Sequence, residues 1–517
     1  MTRFTTAPTA RPADQPSGRQ SGESTGPGLD RQILSLAAPA LGSLVAEPLF
    51  VLIDSAMVGH LGATSLAGLS LASTVLTTVV GLFVFLAYAT TATTARLFGA
   101  GDRRGGLRAG IDGAWLAVLL GLGAAAVLAA GAPWVVAAMG ADGDVAGAAS
   151  AYLRASAPGI PGMLVVYAAT GTLRGLLDTR TPFVVASAGA VLNVGLNAVL
   201  LYGVGMGIAG SGLGTAITQS VMAVALMTPV VRAARGSGVG LAPRRRGLRA
   251  SLGAGTPLLV RTLSLRAAIL ATVWAATSLG ELPLAAHQVV SSLWSFSSFA
   301  LDALAIAAQA LVGTALGQVD ARRAASDDDG IPGRPDGAGP GGAEGAVPRR
   351  RPDALPASDG AVVGSGAGAD PRRALDAVLR RCLAWGVAVG GIIGSVLAVA
   401  SPWLPRAFTS EVSVATTATP ALLVAASAMP LAGAVYLFDG VLTGAGDGRY
   451  LAGAGLVTLV PYLPLTVVVT RGWLPLTFST ASPTGGLVWL WVAFAWVFMG
   501  MRALTTGLRA RGGAWRR

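Results

Sequence analysis

This 517-residue sequence contains no lysine, two histidines and a single cysteine, and only 12% of its residues are charged. Each scarcity excludes a class of chemistry. A Walker A loop needs a lysine ammonium to reach the terminal phosphates of a nucleotide, so ATP hydrolysis of that kind is ruled out. His60 and His287 lie too far apart for an HExxH zinc helix. No GxSxG elbow and no acidic cluster suited to magnesium pyrophosphate is present. Cys382 stands alone, which rules out an intrachain disulfide. The first 30 residues are rich in Pro, Gly, Ser and Thr and lack the apolar core of a cleavable signal peptide. The sequence therefore reads as a protein that is not an enzyme and needs no cofactor or metal, driven by an ion gradient or by its substrate.

What is abundant is apolar surface. At 53% hydrophobic residues and a mean hydropathy of +0.64, the chain is too apolar for a soluble protein of this length. Stretches able to cross a ~30 Å hydrocarbon core start near residues 33, 64, 109, 149, 182, 211, 250, 283, 375, 416, 450 and 484. The expected fold is an all-α polytopic membrane protein of twelve helices. All 37 basic residues are arginines, and nearly all fall in the tails and in the loops after helices two, four, six, eight and ten. Arg154, Arg406 and Arg471 fall on the other side, while Arg96, Arg261 and Arg266 fall within helices. Because positive charge collects in cytoplasmic loops, both termini are expected in the cytoplasm. The net charge of +12 is then a topology signal rather than a sign of a nucleic-acid partner. The tail arginines 509, 511, 516 and 517 could touch anionic lipid.

The chain also repeats itself. Leu61-Gly62, Leu66-Ala67, Gly99, Asp102 and Arg104 recur 218 residues later as Leu279-Gly280, Leu284-Ala285, Gly317, Asp320 and Arg322. A GxLxGxxDxR pattern occurs at Gly171 to Arg180, with Asp178, and again 269 residues on at Gly440 to Arg449, with Asp447. The offsets differ by 51 residues, which locates an insert at 321–371. Six helices per half give both halves the same orientation, hence two lobes related by a pseudo-two-fold axis along the membrane normal, as in many secondary transporters. The expected layout is a disordered tail 1–31, an N-terminal lobe 32–234, a cytoplasmic linker 235–249, a C-terminal lobe 250–507 with the disordered insert 321–371, and a basic tail 508–517.

Ionisable residues at membrane depth are costly and default to a functional reading. Glu47 and Asp54 in the first helix are seven residues apart, which puts them on one face about 10.5 Å apart in depth. Pro48 beside them removes a helix hydrogen bond and crowds Leu44, so a kink is expected there. In the fifth helix Asn193 and Asn197 share a face, followed by Tyr202; Thr215 and Gln219 on helix six add further polar positions. Cavity lining and interhelical hydrogen bonding are both open for these. In the second half Glu47 and Asp54 are replaced by Leu265 and Thr272. Arg266 and Asp302 fall at similar depth and are expected to pair. Asp439 is expected to snorkel near the cytoplasmic end of helix ten. Both GxLxGxxDxR copies are assigned to cytoplasmic loops, Asp178, Arg180, Asp447 and Arg449 acting as caps or latches.

The run from Glu47-Pro48 through Asp54 to Val58-Gly-His-Leu-Gly62, with Leu284-Ala-Ala-His-Gln288 and Gly440-x-Leu-x-Gly-x-x-Asp447, resembles the multidrug and toxic compound extrusion (MATE) transporters, and within them the DinF-like branch. The resemblance covers about residues 31 to 507. It implies an antiporter, expected to act as a monomer, that exports amphipathic, often cationic organic compounds in exchange for protons or sodium by rocking between two open states. It links Asp54 to cation coupling and to bending of the first helix. The family's Asn and Asp in helix five correspond to Asn193 and Asn197, the second a departure. The NorM-type glutamate of helix seven corresponds to Leu265 and is absent. The alternative in another class is a flippase for a lipid-linked saccharide precursor, which would need an arginine-lined central cavity.

Overall fold

The computed structural model describes residues 26–329, 371–473 and 482–516, and every regular element among them is helical. Helix 1 spans Gly26–Gly59 and continues through Pro39 and Pro48 without a break. Helix 2 is Ala63–Gly99, interrupted at Phe83 and Val84; helix 3 is Arg103–Ala138. Helix 4 is assembled from Gly143–Ser156, a 3-10 turn and Ile160–Gly175. Helix 5 is Arg180–Gly203, its last turn of π form, and helix 6 is Ile208–Gly236. The second half has helix 7 (Arg245–Ser278), helix 8 (Glu281–Asp329) and helix 9 (Pro371–Ala400). Helix 10 is the pair Val412–Ser427 and Met429–Gly444, bent by 50°. Helix 11 is Gly448–Thr470 and helix 12 is Thr484–Arg511.

Helices are what an apolar chain can form in lipid, where each backbone group must be satisfied inside its own segment. Ten of the described helices are long and apolar enough to cross a bilayer, eleven with the bent pair counted as one. Helix 4 completes the set of twelve; its 3-10 break, with Asp144 and Arg154 in its outer part, interrupts the apolar run.

The repeat in the sequence is a repeat in space. Gly62 and Gly280 occupy matching turns at φ 115° and 111°, a region that favours glycine. Leu66 and Leu284 donate to the carbonyls of those two glycines, each at 3.1 Å. Gly171 and Gly175 of helix 4 lie on the Ala87 and Thr91 carbonyls of helix 2, where a Cβ would clash. Gly440 and Gly444 of helix 10 lie in the same way on Ala305 and Gln309 of helix 8. At the lobe interface, Gly99 sits on the Thr314 carbonyl and Gly317 on the Arg96 carbonyl, a reciprocal contact that a pseudo-two-fold axis generates. Gly313 meets Ala95, its own counterpart, beside that axis.

The GxLxGxx stretches thus differ from the loops expected of them: both are helix interiors, and only their Asp and Arg flank a turn. Other boundaries shift as well. Helix 1 begins inside the expected tail, and residues 1–25 lie outside the described residues. Helix 8 extends to Asp329, past the expected start of the insert, whose residues 330–370 lie outside the described residues. The linker narrows to 237–244, and the basic tail continues helix 12 to Arg511 before a 3-10 turn at Ala514–Arg516. There Trp515 is buried and Arg516 pairs with Asp376 at 2.8 Å.

Candidate functional site

Asp54 is the site from which the N-terminal lobe is best understood. It is only 4% exposed, yet it lines a cavity of about 290 Å³ enclosed by helices 1, 2, 4, 5 and 6. Asn197 Nδ2 donates to Asp54 Oδ1 at 2.7 Å, and the Ser211 hydroxyl donates to the same oxygen. Asn197 Nδ2 also reaches Asn193 Oδ1 at 3.1 Å. The i, i+4 spacing in helix 5 therefore does put both asparagines on one face, with Asn197 bonded to the acid and Asn193 to Asn197. Every hydrogen-bond donor to this carboxylate among the described residues is neutral. Asn197 Oδ1, Asn193 Nδ2 and Thr215 Oγ1 are buried without a hydrogen-bond partner, leaving unspent polar capacity around the acid.

Backbone geometry explains the convergence. Gly214 leaves room for Asn197 Oδ1 against helix 6, and Gly210 and Gly212 pack on the Leu200 and Tyr152 carbonyls, so the glycine-rich stretch is a packing face. Ser211 sits in the middle of that face, a residue that sequence reasoning missed; a hydroxyl among glycines on a membrane helix was the available signal. The π turn Ala198–Gly203 begins immediately after Asn197, a deformation frequent beside functional groups. Tyr202 is turned elsewhere: its hydroxyl donates to the Met57 carbonyl at 2.6 Å and its ring is exposed. Thr215 and Gln219 line the cavity with Asp54, beside Tyr152, Tyr167 and Met222. The Glu47 side chain lies outside the described residues. Pro48 lies in an unbroken helix.

The C-terminal lobe has a second cavity, of about 460 Å³. At the positions matching Glu47 and Asp54 stand Leu265 and Thr272, and the Thr272 hydroxyl is 2.6 Å from the Tyr462 hydroxyl. The acid here is Asp439, on helix 10. It does not snorkel: it is 6% exposed and accepts from Arg261 of helix 7 at 2.8 Å and from Arg502 of helix 12. Arg261 also lies over the Tyr88 ring and Arg502 over Phe498. Trp294, Trp491 and Phe494 form an aromatic wall next to His287, whose buried Nδ1 has no hydrogen-bond partner.

The expected pairing of Arg266 with Asp302 is absent among the described residues. The Arg266 guanidinium lies beside Gly81 at the lobe interface, because helix 7 packs along helix 2. Asp302 instead lies where the two cavities meet and lines both. Arg174, the residue inside the first GxLxGxx copy, lines the N-terminal cavity, 8% exposed and with its Nε unpartnered. Arg174 and Arg502 escaped sequence reasoning, since charge near a helix end reads as cytoplasmic. Asp178 caps the start of helix 5 by accepting from the Thr181 amide at 3.0 Å and hydroxyl at 2.6 Å. Asp447 instead holds Arg509 of helix 12 at 2.6 Å, and Arg180 and Arg449 are exposed. Among the described residues no cluster of His, Cys, Asp or Glu could hold a metal ion.

The chain is 27% identical over 501 residues to protein DETOXIFICATION 44, chloroplastic, of Arabidopsis thaliana, covering 94% of this chain and 83% of that protein. It is 29% identical over 317 residues to the DNA damage-inducible protein F of Escherichia coli K12, covering 58% and 68%. In fold it is similar to a MOP superfamily transporter from Pyrococcus furiosus, with a TM-score of 0.74 at 18% identity, covering 96% of this chain and 100% of that one. The MatE family profile matches residues 39–199 and 360–468. With that match spread over both lobes, the chain belongs to the MatE family of multi-pass membrane transporters.

Proposed function

We propose that this protein is a cation-coupled antiporter that exports amphipathic, often cationic organic compounds by alternating access, with Asp54 as the residue that exchanges a proton or sodium ion. The observation that carries the reading is the environment of Asp54. It is a carboxylate on the wall of a membrane cavity, held by neutral donors alone, so it can change its charge without stranding a buried guanidinium. The unpartnered Asn197 Oδ1 and Thr215 Oγ1 add oxygen acceptors that suit a small cation. The tyrosines and methionines of the same cavity suit an amphipathic guest. Cation and guest would compete for one carboxylate, which is the coupling.

The lobes touch through Gly99 and Gly317, Ala95 and Gly313, Arg96 and Asp320, and Asp30 and Arg381. These contacts cluster toward the arginine-rich side, which supports an outward-facing arrangement with both termini in the cytoplasm of a bacterial inner membrane. A lipid-linked saccharide flippase would need several guanidiniums converging on a pyrophosphate, whereas Arg261 and Arg502 are committed to Asp439 and Arg174 and Arg266 line different cavities. The test is transport in proteoliposomes with proton and sodium gradients imposed separately. Export of a fluorescent organic cation should follow one gradient and vanish in Asp54→Asn. Undiminished gradient-driven transport in that variant would remove Asp54 from the mechanism.

A further inference from the structure

A third cavity, of about 960 Å³, is at neither of these sites. It lies between helices 2, 3 and 7 and the linker between the lobes. Its inner walls are apolar, formed by Leu86 and Ala89 of helix 2, Ala109 of helix 3, and Ala250 and Ala254 of helix 7. Arg104, Arg108, Arg244 and Arg246 also line it, with Asp112 as the one acid. Asp112 accepts from Arg108 at 2.9 Å and from Arg244 at 3.1 Å, so the cavity keeps a surplus of positive charge.

Part of the cavity is rigidly built. Arg108, 9% exposed, donates to the linker carbonyls of Gly240 and, at 2.6 Å, Ala242, while its Nε has no hydrogen-bond partner. Trp115 donates to the Leu241 carbonyl at 2.8 Å, so the linker is tied to helix 3 along three consecutive residues. Arg104 and Arg246 are exposed and have no carboxylate partner among the described residues. The matching seam on the other side of the pseudo-two-fold, between helices 1 and 9, carries the opposite charge order. There Arg381, the counterpart of Asp112, makes a bidentate pair with Asp30, to which Trp385 Nε1 also donates at 2.8 Å.

We propose that this cavity is a binding site for an anionic phospholipid of the inner leaflet, its phosphodiester held by Arg104, Arg108 and Arg246 and its first methylenes against the alanine wall. Guanidiniums above an apolar floor match a headgroup joined to acyl chains, and basic pockets between membrane helices recognise such headgroups. A bound lipid would bridge the two lobes, since helix 3 and helix 7 belong to different halves.

The test is native mass spectrometry of the full-length protein from mixed phosphatidylcholine and phosphatidylglycerol bilayers. Wild type should retain phosphatidylglycerol selectively. Arg104→Gln combined with Arg246→Gln should weaken that retention roughly 30-fold, from about one screened charge interaction per arginine. Ala254→Phe, which fills the apolar floor and leaves the charges in place, should weaken it as well. Arg406→Gln, a control outside this cavity, should leave it unchanged. Equal retention by wild type and both pocket variants would overturn the proposal. So would displacement of the lipid by inorganic phosphate, which would make the site one for a soluble anion.

Discussion

The two lobes share one scaffold and treat the buried acid of each central cavity in opposite ways. In the N-terminal lobe Asp54 is held by an amide and a hydroxyl. In the C-terminal lobe Asp439 is clamped by two arginines. Of these two cavity carboxylates, one has only neutral partners and the other is fixed between cations. A buried carboxylate between guanidiniums cannot take up a proton without leaving uncompensated cations, which costs several kcal/mol. An acid among neutral donors carries no such penalty. The proposed coupling therefore falls in one half of a pseudo-symmetric molecule, with Asp439 as its fixed counterpart in the other.

The sharpest way to break this contrast is to neutralise each acid in turn. Asp54→Asn should reduce gradient-driven transport to background while thermal unfolding in detergent stays near the wild-type midpoint. Asp439→Asn should do the reverse in severity, destabilising the protein by about 3–5 kcal/mol as two buried guanidiniums lose their partner; a thermal melt within a degree or two of wild type would overturn the clamp. Next in size are the paired glycines. Gly171→Val and Gly440→Val press a side chain on equivalent carbonyls of helices 2 and 8, so each should cost about 1–3 kcal/mol, and a large inequality between them would mean the lobes are packed by different rules. Ser211→Ala removes one of the two neutral donors to Asp54, a change of about 1.5–3 kcal/mol for a bond to a charged group. It should shift the pH dependence of transport without abolishing it, whereas Thr272→Ala, at the equivalent of Asp54, should leave that dependence unaltered. The smallest effect is expected for Arg180→Gln and Arg449→Gln, exposed turn residues whose loss should change stability by no more than about 0.5 kcal/mol.

Much of the architecture was legible in the sequence because it rests on local rules. Apolar runs give membrane helices, and two constant offsets give two lobes. The i, i+4 spacing foretold that Asn193 and Asn197 would share a face, since helical geometry is fixed at short range. Depth and partnership were not readable in the same way. Asp439 looked like a snorkelling residue and Arg502 like part of a basic tail, because nothing local to either tells that helices 7, 10 and 12 meet at one point.

The sequence by itself determined the class of protein, its duplication and the acid to watch, all properties of periodicity and composition. Only the tertiary structure decided that Ser211 completes the cradle of Asp54, that Arg261 rather than Arg266 answers a carboxylate, and that Asp302 stands where the two cavities meet. The physical reason is that a charge inside a membrane is tolerated only through what touches it, and the contacts of Asp54 and Asp439 join residues 63 to 178 positions apart, beyond the reach of any local rule.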